Sequence, residues 1–177
     1  MRSIRLPALV LLLACSGAQG EELQAFSSRG LPGSRGIDVR MQHPAAWKKV
    51  PVDDPMAVAE LRGPHGRLTA ILQVGRGAPQ SDMQALCHPE RARTMLQGLE
   101  ALDTRVTDVV ARQHEGRPGF ELSYERSNPP TLVRSVIVCL KDTRVVVSCG
   151  ASGPRPALGD IEPVCRRVLG TLTISED

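Results

Sequence analysis

Two strongly apolar segments joined by a short polar turn constrain the fold of this chain more than any other feature. Residues 131–140 and 144–149 carry apolar side chains on both faces of an extended backbone, with Val136 on one face and Val133 on the other. A strand that is apolar on both faces lies inside a sheet that other layers cover above and below. The two segments therefore predict a β-hairpin at the centre of a covered sheet.

The same hairpin decides which cysteines can bond. Four of the five cysteines lie beyond the N-terminal segment: Cys87, Cys139, Cys149 and Cys165. With a two-residue turn at Asp142-Thr143, residues of opposite parity share a face, so Cys139 and Cys149 point to opposite sides. We therefore expect one disulfide between Cys149 and Cys165 and another between Cys87 and Cys139. The alternative is that one or both pairs are reduced, buried thiols.

Alternating and helical patterns complete the predicted elements. Strands are predicted at 37–42, 57–62, 68–74, 105–114 and 120–125, separated by turns rich in Gly and Pro. One helix is predicted over 81–101, and a second begins at an Asp160 cap and ends at Gly170. This order predicts an α+β fold, an antiparallel β-sheet with helices packed on both faces.

The N-terminal 20 residues have the pattern of a secretory signal peptide. Arg2 and Arg5 precede an apolar run over 6–14, and small residues follow. The apolar run is shorter than the roughly 20 residues that a membrane-spanning helix needs. Residues 12–15 resemble a lipobox, in which Cys15 would become the lipidated N-terminus. Ordinary cleavage after Ala18 or after Gly20 is the alternative.

The rest of the chain is predicted to be a flexible linker over 21–36 and one domain over 37–175. Of 22 basic residues, Arg2 and Arg5 lie in the signal peptide, which leaves 20 against 19 acidic residues. A mature chain so close to neutral does not favour nucleic-acid binding, which depends on counterion release from phosphates. Aromatic residues make up only 2% of the chain, so stacking platforms for bases or sugars are not expected either.

Sequence motifs for catalysis or metal binding are absent. The chain contains no G-x-S-x-G, G-x-G-x-x-G, C-x-x-C or H-E-x-x-H motif. Cys87 and His88 are adjacent on a predicted helix and diverge by about 100°, which suits neither a metal pair nor a nucleophile with its base. Trp47 is predicted to anchor the core, and solvated positions are predicted for three histidines: His43, His65 and His114. No cofactor, metal or catalytic residue is expected.

The order of elements resembles the PsbP-like superfamily, which includes exported proteins of the PsbP, DcrB and LpqN types. The resemblance runs over 37–174, from a first strand closed by Pro44-x-x-Trp47 to a last helix that ends in Leu-Gly-Thr-Leu at 169–172. Ala46 stands where the family has glycine. The resemblance implies an αβα sandwich with no shared active site and an accessory, binding or chaperone role. Metal ligands of some plant members do not map onto this chain.

These observations lead to a functional hypothesis. We expect an exported, non-enzymatic accessory or binding protein of the bacterial cell envelope, periplasmic or anchored to the outer membrane. It would act by contact with an unknown envelope protein and would meet the membrane only through a lipid at Cys15. An immunity or inhibitor protein against a secreted toxin is the first alternative. A small-ligand carrier or enzyme that uses a cleft between sheet and helix is the second.

Overall fold

Antiparallel strands form most of the architecture. The computed structural model describes residues 21–65, 68–76, 87, 90, 94, 103–141 and 143–176. The strands and the helix with bounds among these residues are β1 Leu23–Ser27, β2 Ile37–Pro44, β3 Lys48–Val50, β4 Ala57–His65, β5 Leu68–Arg76, β6 Thr104–His114, β7 Arg117–Ser127, β8 Pro130–Cys139, β9 Arg144–Ser152, α1 Arg155–Gly170 and β10 Thr173–Glu176.

The strands make two sheets. A seven-stranded sheet has the order β3-β4-β5-β9-β8-β7-β6, and a three-stranded sheet has the order β1-β2-β10. All neighbouring strands in both sheets are antiparallel. The two apolar strands β8 and β9 lie inside the larger sheet, and this confirms the central hairpin that the sequence predicted.

The main core lies between one face of the large sheet and the layer formed by α1 and the small sheet. Val138 and Val147 of the large sheet are completely buried there, as is Ile161 of α1. Val39 of β2 and Ile174 of β10 belong to the same apolar cluster. At about 25 cal/mol per Å² of apolar surface removed from water, burial in this layer is the main stabilising contribution to the fold.

The predicted α+β sandwich with helices on both faces is wrong. Most of the residues that the structure describes lie in antiparallel strands, and one helix, of 16 residues, has its bounds among them. The layer opposite the large sheet is partly a second antiparallel sheet, in which β10 and β1 both pair with β2. The pattern of β2 predicts a half-buried strand but does not say which sheet contains it. The predicted helix over 81–101 lies outside the described residues except at Cys87, Glu90 and Thr94.

Two further expectations are corrected at the ends of elements. Residues 23–27, predicted to be part of a flexible linker, form β1, because their backbone pairs with β2 from Leu23↔Pro44 to Ser27↔Arg40. Helix α1 begins at Arg155, five residues before the predicted Asp160 cap, and no side chain caps its N-terminus. It ends at Gly170, as predicted.

The disulfides tie the layers together. Cys139 lies opposite Arg144 in the β8–β9 hairpin, and the Leu140 amide donates to the Thr143 carbonyl at 2.8 Å. The closing turn is therefore one residue earlier than predicted, but paired residues keep opposite parity. The structure joins Cys149 to Cys165, with 5.3 Å between their Cα atoms, and Cys87 to Cys139, with 6.0 Å. The first bond fastens α1 to the centre of the large sheet.

Candidate functional site

A groove runs beside β1 and β3, each of which is the first strand in the order of its sheet. We call it the edge groove. It has a volume of about 320 Å³ and is lined by ten residues of β1, β2, β3, β4 and the adjoining loops: Gln24, Ala25, Phe26, Ser27, Leu31, His43, Trp47, Lys48, Lys49 and Leu61. Because residues of both sheets line it, the groove lies where the edge strands β1 and β3 approach one another.

The floor of the groove is apolar and rigid. Phe26, Trp47 and Leu61 are buried side chains of the main core whose surfaces also line the groove. Trp47, the single tryptophan of the chain, is 3% exposed, as expected of a core anchor. Its amide donates to the Pro44 carbonyl at 2.9 Å. Gly63 of β4 lies against the indole, where a Cβ atom would overlap the ring.

The rim of the groove is basic. Lys48 and Lys49 are exposed side chains of β3, and no acidic residue is among the ten that line the groove. The Lys48 ammonium donates to the Ala45 carbonyl at 2.9 Å. The chain has only three lysines, and two of them follow its single tryptophan directly. The sequence analysis did not single out these two lysines, although their position directly after Trp47 is the signal that could have done so.

His43 supplies a buried polar group. Its ring is 3% exposed, so the expected solvated position is wrong: β1 and the adjoining loop cover the end of β2. Nδ1 lies 2.9 Å from the Pro44 carbonyl oxygen. Since a carbonyl only accepts, Nδ1 donates the proton of this hydrogen bond. The contact holds the His43 ring against the end of β2.

Next to the groove, a buried carboxylate organises the chain that leaves β1. Asp38 is completely buried and accepts hydrogen bonds from the Ser27 hydroxyl at 2.6 Å, the Arg29 amide at 3.1 Å and the Arg40 Nε at 2.7 Å. Burial alone would raise the pKa of Asp38, but the Ser27 hydroxyl and the guanidinium groups of Arg40 and Arg29 hold it below its usual value of 3.8. The carboxylate thus fixes the C-terminal end of β1.

The other residues that the sequence singled out lie elsewhere. Cys87 is in a disulfide, and Cys15 and His88 are outside the described residues. His114 ends β6, and burial lowers its pKa below 6.5, so it is not the solvated histidine expected from its position. His65 is the last residue of β4. Within the described part of the chain, no group of three or more His, Cys, Asp or Glu side chains could hold a metal ion.

A second depression of about 290 Å³ lies between β7, β8 and the first half of α1. Its polar lining is mixed in charge, with Glu125, Arg126 and Glu162. Arg134 occupies the same face of β8 and donates to Glu162 at 3.2 Å. The acidic groups of this depression are therefore already paired, Glu162 with Arg134 and Glu125 with Arg105.

No helix in the ranges that the structure describes has the length and apolar character needed to cross a membrane.

Comparison with known proteins identifies the fold. No family model and no curated protein sequence matches the chain. Among solved structures, cyanobacterial PsbP (CyanoP) from Synechocystis sp. PCC 6803 matches with a TM-score of 0.59 and 17% identity, over 93% of this chain and 99% of that one. LpqN, described as involved in cell envelope biogenesis of Mycobacterium tuberculosis, matches with a TM-score of 0.56 and 15% identity, over 86% and 91%. The chain therefore has the PsbP-like fold that its order of elements resembles.

Proposed function

We propose that this chain is an exported, non-enzymatic binding protein of the bacterial cell envelope that acts through contact with another protein. The observation that carries the proposal is the pair of disulfides. Each joins one face of the large sheet to a separate segment, and Cys149, Cys165 and Cys139 are buried. Disulfides that form part of the folded core are characteristic of proteins that fold in an oxidising compartment outside the cytoplasm.

The N-terminal sequence supports export independently of the cysteines. Residues 1–20 combine two arginines, a short apolar run and small residues, the pattern of a cleaved signal peptide. The fold shared with LpqN, a protein of cell envelope biogenesis, is consistent with the same compartment. The finer alternative of a lipid anchor at Cys15 is part of the proposal's test.

The chemistry of the edge groove supports binding. Its two polar groups of catalytic type have structural partners: Ser27 donates to Asp38 at 2.6 Å, and Nδ1 of His43 faces the Pro44 carbonyl at 2.9 Å. A nucleophile and its general base would need to be within hydrogen-bond reach of one another. What the groove presents instead is an apolar floor and two lysines, which suit recognition of a surface.

The proposal is tested in the cells from which the chain comes. A photo-crosslinking amino acid is placed at Ala25, exposed beside the groove, and in a matched variant at Thr107, exposed on β6 at the far side of the large sheet. We expect the protein in the envelope fraction and a discrete crosslinked protein from the Ala25 variant only. Recovery of the chain in the cytoplasm would contradict the proposal, as would a purified enzymatic turnover that one substitution abolishes.

A further inference from the structure

We propose that the edge groove binds an extended, acidic peptide segment of a partner protein, which adds as a strand to the free edge of β1. This inference rests on the proposed function, because it names the chemistry of the protein contact. It is argued from the hydrogen-bond phase of β1, the lack of edge protection, the floor of the groove and the charge of its rim.

The phase of the β1–β2 ladder shows which backbone groups are free. Ser28 donates its amide to the Val39 carbonyl at 3.0 Å, and Ala45 donates to the Glu22 carbonyl at 2.9 Å. In an antiparallel pair, residues of the same parity share one hydrogen-bonding direction. Residues 22, 24, 26 and 28 therefore bond towards β2, while the N–H and C=O groups of Leu23, Ala25 and Ser27 point the other way. No strand of the described ranges pairs with the edge that those groups face.

Nothing in the sequence of β1 protects that edge. Natural sheets blunt an open edge with charges, proline or a bulge, since an unprotected edge invites another strand to pair. The strand reads Leu-Gln-Ala-Phe-Ser, has neither charge nor proline, and pairs with β2 in continuous register. β1 has no neighbour on its outer side among the described residues. Five residues at about 3.4 Å each give an edge of roughly 17 Å, enough for a five-residue peptide strand.

The apolar floor of the groove provides a surface for the side chains of such a strand. In an added strand, alternate side chains point to opposite faces, so one set would lie over the groove. Phe26 and Trp47 give that set an apolar surface, and Leu31 borders it. Main-chain hydrogen bonds supply affinity in this type of recognition, and pockets for alternate side chains supply specificity.

The basic rim of the groove determines which peptide charge it favours. Lys48 and Lys49 are the two lysines that line the groove, and both are exposed. They are complementary to Asp and Glu side chains, and desolvation of a basic peptide beside them would be unfavourable. The partner segment is therefore expected to alternate apolar with acidic residues.

The probe is a random twelve-residue peptide library selected against the purified mature protein with its disulfides intact. We expect enriched peptides to be acidic, to alternate apolar residues and to change the fluorescence of Trp47, the single tryptophan. Amide hydrogen exchange should slow at Ala25 and Ser27, the outward-facing donors. A selection that returns no binder, or binders that are neutral or basic, overturns the proposal, as does unchanged exchange at these two amides.

Two matched pairs of variants distinguish strand addition from nonspecific peptide binding. Ala25→Pro removes an outward N–H at a position where an edge strand tolerates proline, whereas Ala25→Ser keeps that donor. We expect at least a tenfold loss of affinity for the first and less than a twofold change for the second. Melting temperatures of both variants show whether the fold is retained, and if Ala25→Pro unfolds, the exchange of the Ala25 and Ser27 amides in the wild-type complex decides the question.

Charge reversal forms the second pair. Lys48→Glu with Lys49→Glu should weaken the selected acidic peptides at least tenfold, while Lys141→Glu, the exposed third lysine in the β8–β9 turn, should leave binding unchanged. An equal loss of peptide affinity in the Lys48/Lys49 double variant and in Lys141→Glu would show that the groove is not the binding site. Failure of all peptide tests with the protein still oxidised and exported would refute this inference alone, whereas cytoplasmic retention with free thiols would refute the proposed function.

Discussion

At the scale of single residues, the Asp38 carboxylate is the centre of a buried network of hydrogen bonds. It holds Ser27, Arg29 and Arg40, and so the end of β1. Asp38→Asn keeps the shape but loses the charge, and since hydrogen bonds to a charged group contribute about 1.5–3 kcal/mol, we expect a loss of about 2 kcal/mol in unfolding free energy at pH 7. Urea titration of both proteins measures it.

The pH dependence of the stability difference between wild type and Asp38→Asn tests whether the lost charge causes it. The folded pKa of Asp38 lies below 3.8, so its stabilisation is present above the unfolded pKa and is lost as pH falls through the folded value. The difference between wild type and Asp38→Asn should therefore shrink once the pH drops below about 4. Arg40→Gln, at a side chain 55% exposed, should cost less than about 1 kcal/mol. A constant difference from pH 7 to pH 3 would contradict the assignment.

His114 predicts a second pH effect, at higher pH. Burial lowers its pKa below 6.5, an effect that Arg112 reinforces and Glu121 and Glu115 oppose. The unfolded chain therefore takes up a proton first as pH falls, so stability should decrease from pH 7 towards the folded pKa. His114→Asn should remove that decrease, whereas Asp38→Asn should retain it. An NMR titration that places the pKa of His114 at or above 6.5 would refute this account.

Two glycines make a matched test of packing. Gly63→Ala places a methyl group on the Trp47 indole and should cost about 1–3 kcal/mol and shift the tryptophan fluorescence. Gly159→Ala, in exposed helix with nothing within 4 Å of the new Cβ, should stabilise by about 0.5–1 kcal/mol. Thermal denaturation of both variants measures the two signs. Equal effects would show that Trp47 is not packed as described.

At the scale of elements, the bond between Cys149 and Cys165 fixes α1 to β9. The two residues are 16 apart in sequence, and the loop-entropy model assigns such a crosslink about 3 kcal/mol. We expect the variant Cys149→Ala with Cys165→Ala to lose at least that much unfolding free energy, since both side chains are completely buried. Chemical denaturation without reductant measures the loss. A double variant as stable as wild type would contradict the bond's structural role.

How far each element could be predicted depends on how local its pattern is. Strands β8 and β9 are apolar on both faces, and that composition alone indicates a central position. Strand β1 buries only Phe26 of its five side chains, so it has no alternation to recognise; its pairing with β2 defines it. The start of α1 was also hidden, because Arg155 begins the helix without a capping side chain while Asp160 looked like a cap.

The candidate site was harder to predict than the fold, because it arises from packing between the two sheets. Trp47 was expected in the core from its type alone, and the structure agrees. Lys48 and Lys49 follow it directly, but only the approach of β1 to β3 makes them the rim of a groove. His43 was expected in solvent from its place near a turn, yet long-range contacts with β1 bury it. The local hydrophobic periodicity of a sequence does not reveal such contacts.

At the scale of the whole molecule, the chain is a disulfide-braced pair of antiparallel sheets with a PsbP-like fold. One bond joins the large sheet to α1, and the other joins it to Cys87. Together they constrain the positions of these segments relative to the sheet. A braced scaffold that keeps the β1 edge open accounts for a protein whose proposed function is contact with a partner. Export is the condition on which that account depends.

Intact mass spectrometry of the chain recovered from its own cells, after trapping of free thiols, tests this condition most directly. The account predicts loss of at least Met1–Ala14 and no trapped thiol at the four domain cysteines. A further mass of three acyl chains would place a lipid at Cys15, and its absence would indicate ordinary cleavage. Recovery of the chain with Met1–Ala14 attached and all four thiols trapped would contradict the central claim.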